Sequence, residues 1–296
     1  VIVYFLLISK EKKTYSPERI ESYVDLDSSA VDKIEFCILQ SKMVFDKENG
    51  KWYASGPKSF KVDKRLVGQL LSMVANLEVV DLISTNPRKQ MLFQVDTLTS
   101  TILNFMSGND TLASLAVGKT SQDYMYTYVR KTDSDEVWSA KGFLSRIVGR
   151  HLDQWRDKSI LDLDAEKITT IEFKKKKGSF KLAKVDTVWK ISSSLYTEEQ
   201  DTQEDEVRTF IDRISNLRTD EFAELPDLEG VNFKKPVLTL KLTLEDDTEE
   251  ILTIVQKGRD DKMYFVTKEG EETFFILYQG SFDYLDREIE DFKSET

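Results

Sequence analysis

The chain has 296 residues, with 42 Lys and Arg against 53 Asp and Glu and a formal charge of -11. It is long enough for two domains with separate cores, and its acidity works against binding a phosphate backbone, so no nucleic-acid partner is expected. One cysteine, Cys37, and one histidine, His151, exclude an intramolecular disulfide and any metal site that needs several such ligands, and nothing in the sequence calls for a cofactor.

Val1, Ile2, Val3, Tyr4, Phe5, Leu6, Leu7 and Ile8 form an unbroken apolar run, followed by Lys10, Lys12 and Lys13. A membrane-spanning helix needs about 20 apolar residues. Residues 1–13 are therefore expected to be the end of a truncated N-terminal membrane segment with its basic flank, and 14–24 a connector; a short N-terminal strand is the competing reading.

Beyond the connector the chain repeats itself. Asp25, Leu26, Asp27, Val31, Ile34, Glu35 and Phe36 recur as Asp162, Leu163, Asp164, Ile168, Ile171, Glu172 and Phe173, each 137 positions on (173 minus 36). Trp52 and Trp189 keep that spacing, each near the end of what reads as the second strand of a hairpin. In the first copy Asn49-Gly50 supplies the turn, a strong short hairpin signal. A helix follows, carried by Leu66, Leu70, Val74 and Leu77 in one copy and by Val207, Phe210, Ile211, Ile214 and Leu217 in the other. Leu77 and Leu217 are 140 apart, so three residues are inserted in the polar stretch at 197–206.

Strands come next. Leu238, Leu240, Leu242 and Leu244 alternate and Ile251, Leu252 and Ile254 return, as Ile102, Leu103, Phe105 and then Leu112, Leu115, Val117 do in the first copy. Tyr126 and Tyr128 are matched with Tyr264 and Val266, and Val137-Trp138 with Phe275-Ile276, a spacing of 138. Each copy closes with a short helix, at 143–155 and 282–292. The predicted class is α+β: two tandem copies of one module, 25–158 and 159–296, each an antiparallel β-sheet packed with one long and one short helix. No Pro/Gly-rich linker separates them, and they are expected to pack together.

No residue pattern assigns catalysis, a cofactor or a metal. Gly118-Lys119-Thr120 lacks the glycine that a phosphate loop needs five positions earlier, where Ala113 stands, and reads as a turn after a strand. His151 reads as a surface residue and Cys37 as a buried, inert thiol on the first strand. Lys174, Lys175, Lys176 and Lys177 could meet an anionic surface but read first as a strand end and turn. Glu198, Glu199, Asp201, Glu204, Asp205 and Glu206 lack the ligand pattern of a calcium loop and place negative charge at a helix start. Tyr124, Tyr126 and Tyr128 alternate on one strand and, with Tyr264, are the candidate interaction or cleft residues, set against an ordinary packing role. Trp52, Trp155 and Trp189 are assigned to packing.

The apolar N-terminal run, the Asp-Leu-Asp to Ile-Glu-Phe opening, Trp52 ahead of the helical region at 60–77, Phe93, Leu115-Ala116-Val117-Gly118 with Tyr126 and Tyr128, and Trp155-Arg156-Asp157-Lys158 leading to Leu161 together resemble a bacterial membrane-anchored family, domain of unknown function 4340. The resemblance covers nearly the whole chain. It implies a single N-terminal anchor in the cell membrane with the folded part extracytoplasmic (periplasmic), often alongside ABC transporter components of the gliding-motility auxiliary type. It brings no catalytic residues. The expected function is a non-catalytic, membrane-anchored interaction module whose partner is a membrane or envelope protein complex. The alternative is a glycan- or small-molecule-binding protein with a cleft between its two modules.

Overall fold

The computed structural model describes residues 23–39, 41–56, 59–194, 198–258 and 262–294. The apolar run and basic flank at 1–13, and the expected connector up to residue 22, lie outside these. The chain divides into two units, Val1–Asp157 and Lys158–Thr296, and each contains one nine-stranded antiparallel sheet.

In the first unit the strands are β1 (Lys33–Ile38), β2 (Ser41–Glu48), β3 (Lys51–Ser55), β4 (Phe60–Lys61), β5 (Val79–Ser84), β6 (Thr101–Ser107), β7 (Asp110–Thr120), β8 (Tyr126–Lys131) and β9 (Val137–Lys141), in the spatial order β4-β3-β2-β1-β6-β7-β8-β9-β5. The expected opening hairpin is instead a meander, with Trp52 on its third strand. Asn49 and Gly50 do turn the chain, between β2 and β3, with φ of 49° and 78°; the turn after β1 places Leu39 at a φ of 52°, a conformation that leucine seldom adopts. Helix α1 (Lys64–Ala75) starts at Asp63, whose side chain accepts from the Arg65 N–H. Its Val67, Leu70, Leu71 and Val74 share one buried cluster with Ile34, Phe36 and Phe45 and with Leu103, Leu115 and Val129.

The expected closing helix at 143–155 is broken. Helix α2 (Leu144–Val148) stops at Gly149, and the 3-10 turn Leu152–Trp155 then drops Trp155 into the core. Arg156 bridges back to Val62, which holds the segment beside β4. Tyr23 and Val24 are buried in the same cluster, so this core begins within the stretch expected to be a connector.

The second unit repeats the plan with β10 (Ile168–Lys175), β11 (Gly178–Val185), β12 (Val188–Ser193), β13 (Gln200–Asp201), helix α3 (Glu204–Ile214), β14 (Glu221–Phe222), β15 (Leu238–Leu244), β16 (Glu249–Gln256), β17 (Met263–Lys268), β18 (Phe274–Tyr278) and helix α4 (Gln279–Asp283). Its order, β13-β12-β11-β10-β15-β16-β17-β18-β14, is that of the first sheet. The closing helix expected at 282–292 is likewise two pieces, α4 and a 3-10 turn Ile289–Asp291. Phe282, Leu285, Ile289 and Phe292 are all buried, so their helical spacing comes from two short turns rather than one helix.

Strand pairing fixes the repeat register. Ile34 faces Phe45 and Phe105 where Ile171 faces Leu182 and Leu242, a spacing of 137 (171 minus 34). The last strands keep it: Trp138 faces Val129 and Phe275 faces Val266, again 137 (275 minus 138). The spacing of 138 expected there is one residue out. In a strand that slip exchanges the two faces, so the counterpart of Tyr128 is Phe265 and that of Tyr264 is Thr127. Around the helices the spacing is 140: the Asp63 N–H donates to the Trp155 carbonyl and the Gln203 N–H to that of Phe292, and 203 minus 63 is 140.

Burial of Tyr23 gives the first unit an alkaline limit. Its hydroxyl accepts from the Lys131 N–H at 3.2 Å, and burial, the largest influence, pushes its pKa up to about 12. The unfolded value is about 10. The unfolded chain therefore loses this proton first as pH rises, and the folded unit loses stability between about pH 10 and 12, by roughly 2 kcal/mol. Urea midpoints measured across that range should fall for the native chain, and Tyr23→Phe should flatten that component of the fall.

Candidate functional site

On the face of the first sheet away from α1, the segment between β5 and β6 crosses β7. Phe93 and Val95 from this segment join Ala116, Tyr128 and Val137 in a small cluster, with the rings of Phe93 and Tyr128 4.9 Å apart. Gly118 lies beneath the crossing. A Cβ built there would stand 2.2 Å from the Phe93 carbonyl oxygen and 2.7 Å from Val95 Cγ1. The glycine of Gly118-Lys119-Thr120 therefore sits inside β7 rather than in a turn, and close passage of backbone explains it.

Arg130 clamps the same segment. Its buried guanidinium donates through Nε to the Val95 carbonyl at 2.9 Å and through Nη1 to the carbonyls of Lys131, Thr132 and Ser134. Its counterpart, Thr267, offers no such fork, and the crossing segment of the second unit instead packs Leu228, Val231 and Phe233 on Val255, Phe265 and Ile276. Arg130→Met should cost about 2–4 kcal/mol by leaving the buried Val95 carbonyl, and the part-buried carbonyls of Lys131, Thr132 and Ser134, without this donor. Arg130→Lys should recover little of this, because an ammonium lacks the planar fork; urea denaturation of both variants measures the difference.

The four candidate tyrosines occupy different settings. Tyr124 is 70% exposed in the turn before β8, at a φ of 60°, and is not on the strand with the other two. Tyr126 and Tyr128 open β8, both half-buried, and Tyr128 is taken up by Phe93. Tyr264 is 6% exposed in the second unit, stacked on Phe282 at 3.7 Å with its hydroxyl donating to Gln279.

His151 is exposed, its backbone N–H donating to the Gln154 side chain. Cys37 is half-buried rather than buried; partial burial, and then Glu35, push its pKa up, which keeps it a thiol. Glu204, Asp205 and Glu206 form the first turn of α3, where they oppose the helix dipole favourably. Trp52, Trp155 and Trp189 are all buried. A groove of about 400 Å³ beside α3 and α4 is lined by Phe210, Ile214, Leu217 and Tyr284, with the Arg213 guanidinium 4.1 Å above the Tyr284 ring; none of the four candidate tyrosines lines it. Among the described residues no group of three or more His, Cys, Asp or Glu could hold a metal ion, and no helix is long and apolar enough to cross a membrane.

A surface that sequence reading missed lies at one end of the first sheet. The pairs Ile38 with Thr101, Thr101 with Val117 and Tyr126 with Lys141 put the β1–β2 turn, the approach to β6, the β7–β8 turn and the exit from β9 at the same end. The large apolar side chains exposed there are Ile38, Leu39, Leu98, Tyr124, Met125 and Phe143. The Gly142 N–H donates to the Met125 carbonyl, tying two of these loops together. Only the pairing assembles these residues, because the sequence holds them singly or in twos, each unremarkable in a loop.

No curated protein and no solved structure matches the chain. One family model does, over residues 52–236, from β3 of the first unit to the approach to β15 of the second. The chain belongs to the family described as Domain of unknown function (DUF4340).

Proposed function

We propose that the chain is a non-catalytic, membrane-anchored extracytoplasmic interaction module, an accessory to an ABC transporter or another cell-envelope complex. The observation that carries this reading is the gathering of Ile38, Leu39, Leu98, Tyr124, Met125 and Phe143 at one end of the first sheet. Exposed apolar groups gathered in this way mark contact surfaces. Aromatic residues and methionine are also enriched at the centres of protein interfaces. In this reading each module is an α+β unit whose sheet carries one long and one short helix, a firm base from which the loops project. The anchor and the envelope setting rest on the apolar run at Val1 to Ile8 and on the family resemblance.

Photo-crosslinking in cells tests the reading. A photoreactive residue placed at Leu39 or Tyr124 of the full-length protein should capture a membrane protein that also co-purifies with the untreated chain. The same residue at Lys51, exposed on β3, should capture none. Equal capture at all three positions, or none at Leu39 and Tyr124, would remove this surface as the contact.

A further inference from the structure

Of the seven asparagines in the chain only Asn49 is followed by glycine; the others precede Leu77, Pro87, Phe105, Asp110, Leu217 and Phe233. The fold puts Asn49 and Gly50 in an exposed two-residue turn, with Glu48 of β2 paired to Lys51 of β3. Both turn residues have positive φ, 49° and 78°, as the tightest hairpin turns require. Nothing stands within 4 Å of the place that a Cβ on Gly50 would take. Among the described residues neither the Asn49 side chain nor the Gly50 N–H takes part in a hydrogen bond. Two groups able to react with each other are therefore adjacent, uncovered and unengaged.

We propose that Asn49 is a site of self-modification, where asparagine converts to a mixture of aspartate and isoaspartate, and that only the isoaspartate loosens the opening meander of the first unit. The Gly50 amide nitrogen, unhindered because glycine has no side chain, attacks the Asn49 Cγ and closes a five-membered ring. The Cγ–Nδ2 bond breaks, and Nδ2 leaves as ammonia with the proton that the Gly50 nitrogen gives up. Water then opens the ring. Entry at Cγ restores the main chain and leaves an aspartate; entry at the Asn49 backbone carbonyl carbon leaves an isoaspartate, whose main chain runs through Cβ and Cγ and is one carbon longer. Water is consumed and ammonia released, with no oxidant or reductant. Ring closure takes Asn49 out of its turn conformation, so the folded chain reacts through local opening of the hairpin.

The second unit shows what this turn accepts. Asp186 stands 137 positions on (186 minus 49), in the two-residue turn between Val185 and Val188, at a φ of 56°. An aspartate with an ordinary main chain is thus an accepted occupant. An extra main-chain carbon in a two-residue loop instead strains the β2–β3 register, which sets Trp52 opposite Lys47 and leaves its ring buried in the core. The second unit has no asparagine in its turn and keeps its meander. The β2–β3 turn lies at the end of the first sheet opposite the β1–β2 turn, so the reaction leaves Ile38 and Leu39 untouched and is independent of the contact assigned to them.

Peptide mapping by mass spectrometry of the native chain, held at mildly alkaline pH, tests the chemistry. The peptide with Asn49 should gain one mass unit at least about tenfold faster than any peptide with another asparagine, and part of the product should resist a protease that cuts before aspartate. Gly50→Ala, compared with the native chain in urea so that strain in the folded turn has no bearing, should slow the reaction at least about tenfold. Asn49→Asp should unfold at the native urea midpoint, whereas the isoaspartate fraction, separated by ion exchange, should unfold at a lower one. Conversion of Asn49 no faster than that of the other asparagines, or unchanged by Gly50→Ala, overturns the modification. Equal midpoints for the isoaspartate fraction and Asn49→Asp overturn its effect on the meander.

Discussion

Gly118→Ala is expected to destabilise the first unit by about 3 kcal/mol, at the upper end of what overpacking a filled site costs. The obstacle is backbone. The new methyl carbon would stand 2.2 Å from the Phe93 carbonyl oxygen and 2.9 Å from that of Gln94, and neither can rotate aside as a side chain could. Relief would require the crossing segment to lift from β7, which would open the Phe93–Tyr128 contact and draw the Val95 carbonyl from Arg130. Gly68→Ala provides the opposite sign in the same unit. Gly68 is exposed within α1 and nothing lies within 4 Å of its added carbon, so alanine should stabilise the helix by up to about 1 kcal/mol. Urea midpoints for both variants, at unchanged denaturant slope, report the pair; a neutral Gly118→Ala would mean that the segment does not cross β7 so closely.

Trp155→Ala should cost about 3–5 kcal/mol, whereas Trp155→Phe should cost less than about 1.5. Trp155 is fully buried, edge-on to Phe36 at 5.4 Å and to Phe45 at 5.2 Å, and alanine would leave a cavity at the centre of that cluster. The second unit fills the equivalent place with Phe292, packed on Phe173, Phe180 and Phe210. A phenyl ring is therefore an accepted solution in this fold. Trp155 Nε1 has no hydrogen-bond partner among the described residues, so phenylalanine also removes a buried donor that contributes nothing. Thermal melts of the two variants decide the matter: if Trp155→Phe unfolds as readily as Trp155→Ala, ring shape at this site matters more than the comparison of the two units implies.

The repeat was legible where alternation and identity coincide. Ile34 and Phe36 against Ile171 and Phe173 mark the same face of the same strand, and Trp52 against Trp189 fixes the third strand of each meander. The strand in between was missed because its turn carries no breaker: Leu39 takes the left-handed conformation that glycine or asparagine would have announced. At β8 a pair of tyrosines invited a match with Tyr264, and two identical residues outweighed the face they occupy; Thr127, buried as Tyr264 is, was the true counterpart. Gly149 was the available sign that the closing helix of the first unit ends early. The apolar end of the first sheet was not legible. Its tips become neighbours only through strand order, and order among nine strands is not written in any single segment.

The strand order also sets how the chain must fold. In each sheet two central neighbours, β1 and β6 or β10 and β15, close the same interval, 63 residues from Ile38 to Thr101 (101 minus 38) and from Lys175 to Leu238 (238 minus 175). The three residues gained before α3 are lost again before β15, so the loop-closure entropy of the two units is equal. Pairing at that distance is slow compared with a hairpin. At about 5–20 residues per second of synthesis, β1, and later β10, waits roughly 3–13 s for its central partner to begin to emerge. During that wait Ile34 and Phe36, and later Ile171 and Phe173, have no strand on one side, which makes the nascent chain, rather than the finished protein, the stage most open to aggregation.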